Sequence, residues 1–155
     1  MCHLNAFLTI LALVLSLGTA HAQPTKSLTG RVLSEELDAV PRANIYARDT
    51  TIIGTTDMEG YFKIDVPVNT NTLLFGTLGM ELTTVKLSGE CSTLEVILLY
   101  DFHYDFISVR RVNRKVFKRF KQLPKIHQQA YEKGLFKSPA PCAQPIFTKW
   151  VPRSL

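Results

Sequence analysis

Apolar and polar residues alternate along most of the chain between Ser27 and Leu99. Ala43, Ile45 and Ala47 are spaced by Asn44 and Tyr46, and Phe62, Ile64 and Val66 by Lys63 and Asp65. A period of two marks strands with one buried face. The same reading gives strands over Leu28–Leu33, Thr51–Thr56, Thr72–Leu78, Glu81–Leu87 and Thr93–Leu99, with polar turns between them. Leu94, Val96 and Leu98 should face the core, with Leu73 and Phe75 as partners. Seven short strands at these intervals predict a sandwich rather than βαβ units.

The pattern changes after Leu99. Val109, Val112, Val116, Phe120 and Leu123 recur at steps of three and four, with Phe117 beside them, which is the apolar stripe of a helix. Pro124 ends or kinks that helix. A shorter one is expected over Lys125–Leu135, stopped by Gly134, and Ile146–Val151 offers an edge strand or a packing segment. The fold class is therefore mainly β, a seven-stranded sandwich followed by one or two C-terminal helices. The division is residues 23–100 for the sandwich and 101–155 for a basic helical extension.

Asp57 and Gly60 form the turn that organises the sandwich. The Asp57 carboxylate can accept neighbouring backbone N–H groups, and Gly60 supplies the positive φ such turns often need. Gly54, inside a strand, marks a bulge or a close backbone approach. Pro41, Ala43, Gly54, Thr56, Asp57, Gly60 and Phe62, with Leu78-Gly79 further on, resemble the pattern of the carboxypeptidase-regulatory-like domain. The resemblance covers roughly residues 27–99 and implies a small transthyretin/immunoglobulin-like sandwich. In that family the domain is usually an accessory, following the catalytic domain of some zinc carboxypeptidases or preceding the plug of nutrient-importing outer-membrane receptors. Neither neighbour is in this sequence, so no activity carries over from them.

Residues 1–22 read as an export signal. Leu8 to Leu17 is almost unbrokenly apolar, and Ala20-His21-Ala22 gives a small-x-small cleavage pattern before Gln23. An uncleaved anchor is the rival reading, although the run is short for a ~20-residue span. The expected location is the periplasm, the outer-membrane surface or the medium. In such an oxidising compartment Cys91 and Cys142 could pair. The alternative is a buried Cys91 and a free Cys142, and geometry decides between them.

Charge divides the chain. Residues 23–105 hold six Lys/Arg and twelve Asp/Glu, a net of −6, whereas residues 106–155 hold twelve Lys/Arg and one acid, Glu132, a net of +11. The densest run is Arg110, Arg111, Arg114, Lys115, Lys118, Arg119 and Lys121, continued by Lys125, without an acid among them. Helices usually mix signs for support between positions four apart. An uncompensated cationic face attracts an acidic protein patch or an anionic membrane surface. Nucleic acid is set aside by export and the lack of a groove-reading motif.

Signals for catalysis are thin. There is no H-E-x-x-H, no G-x-S-x-G and no phosphate-binding glycine loop. After the signal only His103 and His127 remain. Asp101, His103 and Asp105 would share one side of an extended segment and could hold a metal, against the simpler reading of a polar connector. No cofactor is expected. The function that follows is a non-enzymatic accessory module of a bacterial envelope, binding or positioning another protein there. The alternatives are peripheral membrane binding through the basic helix, or glycan binding if Tyr46, Tyr61 and Trp150 share a face.

Overall fold

The computed structural model describes residues 23–47, 51–102, 107–149 and 151. The export signal, His103, Asp105 and Trp150 lie outside these residues. Among the described residues eight strands form two sheets: β1 (Thr25–Ser34), β2 (Asn44–Tyr46), β3 (Ile52–Thr55), β4 (Tyr61–Pro67), β5 (Thr72–Gly76), β6 (Thr83–Lys86), β7 (Thr93–Leu98) and β8 (Gln144–Ile146). The three-stranded sheet runs β4-β1-β7, and the five-stranded sheet runs β3-β2-β5-β6-β8. All neighbours are antiparallel except β1 and β7.

The inward positions of both sheets meet in one core. Leu28, Val32, Phe62, Ile64, Val66, Leu94, Val96 and Leu98 come from one sheet, and Ala43, Ile45, Leu73, Phe75 and Val85 from the other. The Phe62 and Phe75 rings bridge the sheets with centroids 5.5 Å apart. β4 shows the alternation in its plainest form, with Phe62, Ile64 and Val66 buried and the residues between them exposed.

A second apolar layer lies on the other face of the three-stranded sheet. Leu33, Ile97 and Leu99 point away from the first core and are covered by Leu123, Ala130 and Phe136 of the extension. β7 is therefore buried on both sides, which strict alternation with solvent does not describe.

The extension is a bent helical pair, α1 (Val109–Phe120) and α2 (Leu123–Glu132). The bend falls at Lys121–Gln122, and Pro124 sits in the first turn of α2, where its missing N–H leaves no helical bond broken. The second helix thus starts two residues earlier than the proline rule suggested and stops three residues before Leu135. Of the α1 stripe, Val112 and Val116 are buried, whereas Val109 and Phe117 remain exposed.

The tail closes the five-stranded sheet. β8 pairs antiparallel with β6, Val85 opposite Pro145, making an eighth strand at Gln144–Ile146 rather than over the expected Ile146–Val151. A proline there breaks no ladder bond when its nitrogen side faces away from the sheet, as edge strands allow. Cys91, at the entry to β7, forms a disulfide with Cys142, with the two Cα atoms 5.8 Å apart.

Candidate functional site

The Asp57 turn is built from its own side chain. Asp57 Oδ1 accepts the N–H groups of Glu59 (3.0 Å) and Tyr61 (2.7 Å), which folds the chain back into β4. Gly60 closes the turn at φ +80°, and a Cβ there would run into the Val32 carbonyl oxygen. Thr56, buried, donates to the Val40 carbonyl (2.7 Å) and accepts the Ala43 N–H (2.8 Å), pinning the Pro41 segment to the strand before the turn. Gly54 lies opposite the register shift at Ile45/Tyr46, and any side chain there would collide with Ile64. These positions serve the backbone path; none of them converges on a cleft.

The cationic run does not act as one group. Arg110, Arg111, Arg114, Lys115, Lys118 and Lys121 are exposed on α1 and at its end. Arg119 points the other way. Its guanidinium donates to Glu35 through both Nη2 and Nε, the latter at 3.3 Å, to Glu81 Oε1 at 3.3 Å, and to the Tyr100 carbonyl at 2.9 Å. It also stacks over Phe102, 4.5 Å from the ring centroid. Arg119 therefore belongs to the joint between α1 and the sandwich, which removes it from the anion-binding surface read from the sequence. Burial pushes the Glu81 carboxyl above its usual range; Arg119 pulls it down, while Asp101 and Glu35 add to the rise.

A second polar joint is buried deeper. Glu95 projects from β7 into the layer under the extension, where its carboxylate accepts the backbone N–H groups of Lys137 and, at 3.2 Å, Ser138. His127 of α2 donates from Nε2 to the Ser138 carbonyl at 3.0 Å, and its Nε2 lies 3.7 Å from Glu95 Oε2. A carbonyl only accepts, so the neutral ring carries its proton on Nε2. Burial lowers the His127 pKa, opposed by the Ser138 bond and the Glu95 charge. In the sequence His127 is one of two histidines after the signal, and Glu95 has no role assigned in the Thr93–Leu99 strand; their meeting is not visible there. Among the described residues no group of three or more His, Cys, Asp or Glu could hold a metal.

The two described tyrosines of the glycan reading do not share a face. Tyr46 lies on β2 of the five-stranded sheet, with its hydroxyl 3.2 Å from Asn44 Nδ2, and Tyr61 lies on β4 of the other sheet under Arg31.

A family model for the CarboxypepD_reg-like domain matches residues 28–101, the stretch that holds the Asp57 turn, Thr56 and both sheets apart from the first three residues of β1 and the whole of β8. Residues 28–101 are a CarboxypepD_reg-like domain. Such domains are regulatory, non-catalytic and Ig-like, and the extension from α1 onward lies beyond the matched residues. No curated protein matches the chain. Among solved structures, one similar chain is from the cryo-EM structure of an E. coli P pilus tip assembly intermediate, PapC-PapD-PapK-PapG. It is 13% identical, with a TM-score of 0.40, over 56% of this chain and 11% of that one. A likeness at that level carries no argument about this protein. Among the described residues no helix is long and apolar enough to cross a membrane.

Proposed function

We propose that the protein is a non-enzymatic, exported accessory module in which the CarboxypepD_reg-like domain carries α1 as a cationic contact surface for an acidic patch on another protein of the bacterial envelope. The observation that carries this reading is the division within the basic run. Arg119 is absorbed by Glu35 and Glu81, whereas Arg110, Arg111, Arg114, Lys115 and Lys118 are exposed and form no ion pair among the described residues. Charges left uncompensated on a rigid helix set up a field that steers an anionic partner and orients it.

Insertion into a membrane is less well supported. A surface-lying helix needs a free apolar face, and Val112 and Val116 are spent on packing against the domain. Glycan stacking wants aromatics on one face, and Tyr46 and Tyr61 lie on different sheets.

Affinity capture from envelope fractions tests the proposal, comparing the mature protein with an Arg110→Glu, Arg114→Glu, Lys118→Glu variant. These positions are four apart and form one ridge of α1. A partner retained by the native protein and lost by the variant is the expected result. Equal capture by both, or binding of the native protein to anionic vesicles with no protein partner, overturns it.

A further inference from the structure

Between the outer face of β7 and the C-terminal extension lies a cavity of about 450 Å³, walled by Ile97, Phe117, Phe120, Leu123, Pro141 and Ala143. That volume falls in the range of small-molecule sites, roughly 300–1,000 Å³. Its tail-side wall is fastened by the Cys91–Cys142 bond, since Pro141 and Ala143 flank the bridged cysteine.

Four polar side chains border the apolar space, in different conditions; Gln144 donates from Nε2 to the Pro141 carbonyl at 3.2 Å. Glu95 is already satisfied by the two backbone N–H groups of Lys137 and Ser138. His127 is 2% exposed and spends Nε2–H on Ser138, which leaves Nδ1 as a lone pair with no donor among the described residues. No described side-chain nitrogen or oxygen is both sealed and unpartnered. His127 lines the cavity, and with Nε2 spent on Ser138 its remaining acceptor is Nδ1. Lys121 stands at the solvent side, exposed, its Nζ 4.9 Å from the Phe117 ring centroid and without a carboxylate partner among the described residues.

We infer that this cavity binds a small amphipathic carboxylic acid, with its apolar body against Ile97, Phe120 and Leu123, its carboxylate at Lys121, and a hydroxyl, where the ligand has one, donated to His127 Nδ1. The ligand's charge follows from the surroundings. Among the described residues the one carboxylate on the cavity wall, Glu95, is committed to backbone donors, and the rim carries Lys121. A cationic amphiphile would meet repulsion there. A neutral one would leave Lys121 without a counter-charge. This inference stands apart from the proposed protein contact, which uses the outward ridge of α1.

Isothermal titration of the mature, disulfide-intact protein tests it, with decanoate, ω-hydroxydecanoate and decyltrimethylammonium as probes below their micellar concentrations. Saturable one-to-one binding of decanoate is expected, together with amide shifts at Ile97 and Ala143 in the NMR spectrum. Lys121→Glu should weaken decanoate by about tenfold, the size of one moderate charge contact. Lys63→Glu, the same charge change on β4 at the opposite edge of that sheet, should leave the affinity as it was. ω-Hydroxydecanoate should bind no more weakly than decanoate, because a hydroxyl buried without an acceptor would otherwise weaken binding by about tenfold or more. Absence of saturable decanoate binding, equal binding of the cationic probe, or equal losses in both charge variants overturns the assignment. A hydroxydecanoate that binds tenfold more weakly than decanoate overturns the role of His127 Nδ1.

Discussion

Arg119 and Glu35 stand 84 positions apart and meet through two guanidinium nitrogens, which ties α1 to the connection after β1. Glu81 and the Tyr100 carbonyl complete the cluster, and the paired side chains are each about one-fifth exposed (Arg119 20%, Glu35 18%, Glu81 19%). A fork of this kind is geometrically specific as well as charged. Removing it leaves two mostly buried acids without the cation that joins them.

Arg119→Gln should therefore lower the unfolding free energy by about 2 kcal/mol, between the values for exposed and fully buried pairs. Urea denaturation of the purified protein reads this directly. Arg114→Gln, on the exposed side of the same helix, should change stability by no more than about 0.5 kcal/mol. Equal effects would show that the Glu35 and Glu81 contacts contribute nothing.

The Cys91–Cys142 link closes a loop of 51 residues that contains β7, both helices and the entry to β8. On the chain-entropy model such a loop stabilises by roughly 4 kcal/mol. Cys142 is exposed, so a reductant can reach the bond. Thermal unfolding with and without dithiothreitol should show a clear fall in midpoint. A Cys91→Ser, Cys142→Ser double variant should match the reduced protein and show no further response to reductant.

Stability should also depend on pH through His127. Burial holds its pKa below the ordinary 6.5, so the unfolded chain binds the proton more readily than the folded one. The contribution is fully present above pH 6.5 and is lost as pH falls through the lowered folded value. Glu81 runs oppositely. Its raised carboxyl favours the folded state below about 4.5, and that advantage is lost as pH rises through the folded value. His127→Gln keeps a donor for the Ser138 carbonyl but cannot take up a proton. The difference in unfolding free energy between native protein and this variant should shrink or reverse as pH drops from 7 toward 5, and a constant difference would refute the assignment to His127.

Much of the sandwich was readable because its signals are local. The alternation of Phe62, Ile64 and Val66 needs only the strand itself, and the Asp57 turn uses bonds to residues two and four positions away. The extension was harder. Seven neighbouring cations look alike along the chain, and which one turns inward depends on how α1 is rotated against acids far away in sequence. Glu95 reads as a solvent-facing residue between Leu94 and Val96, yet the face it occupies is covered by residues some forty positions later (separations of 42 and 43 to its N–H donors). Strand β8 was placed too late because Pro145 argues against a strand until the edge it completes is known. Long-range cover, rather than local preference, decides these cases.

The short strand β8 has a consequence for how the molecule behaves among copies of itself. A sheet that ended at β6 would present a row of open amides and carbonyls, the kind of template on which another chain adds a strand. β8 occupies that row, and its middle residue, Pro145, has no N–H to offer a newcomer. The cap is three residues long and begins two residues after a cysteine bonded to the domain it protects. Resistance to strand-by-strand aggregation on this side of the molecule is thus supplied by the tail, and it is fastened covalently.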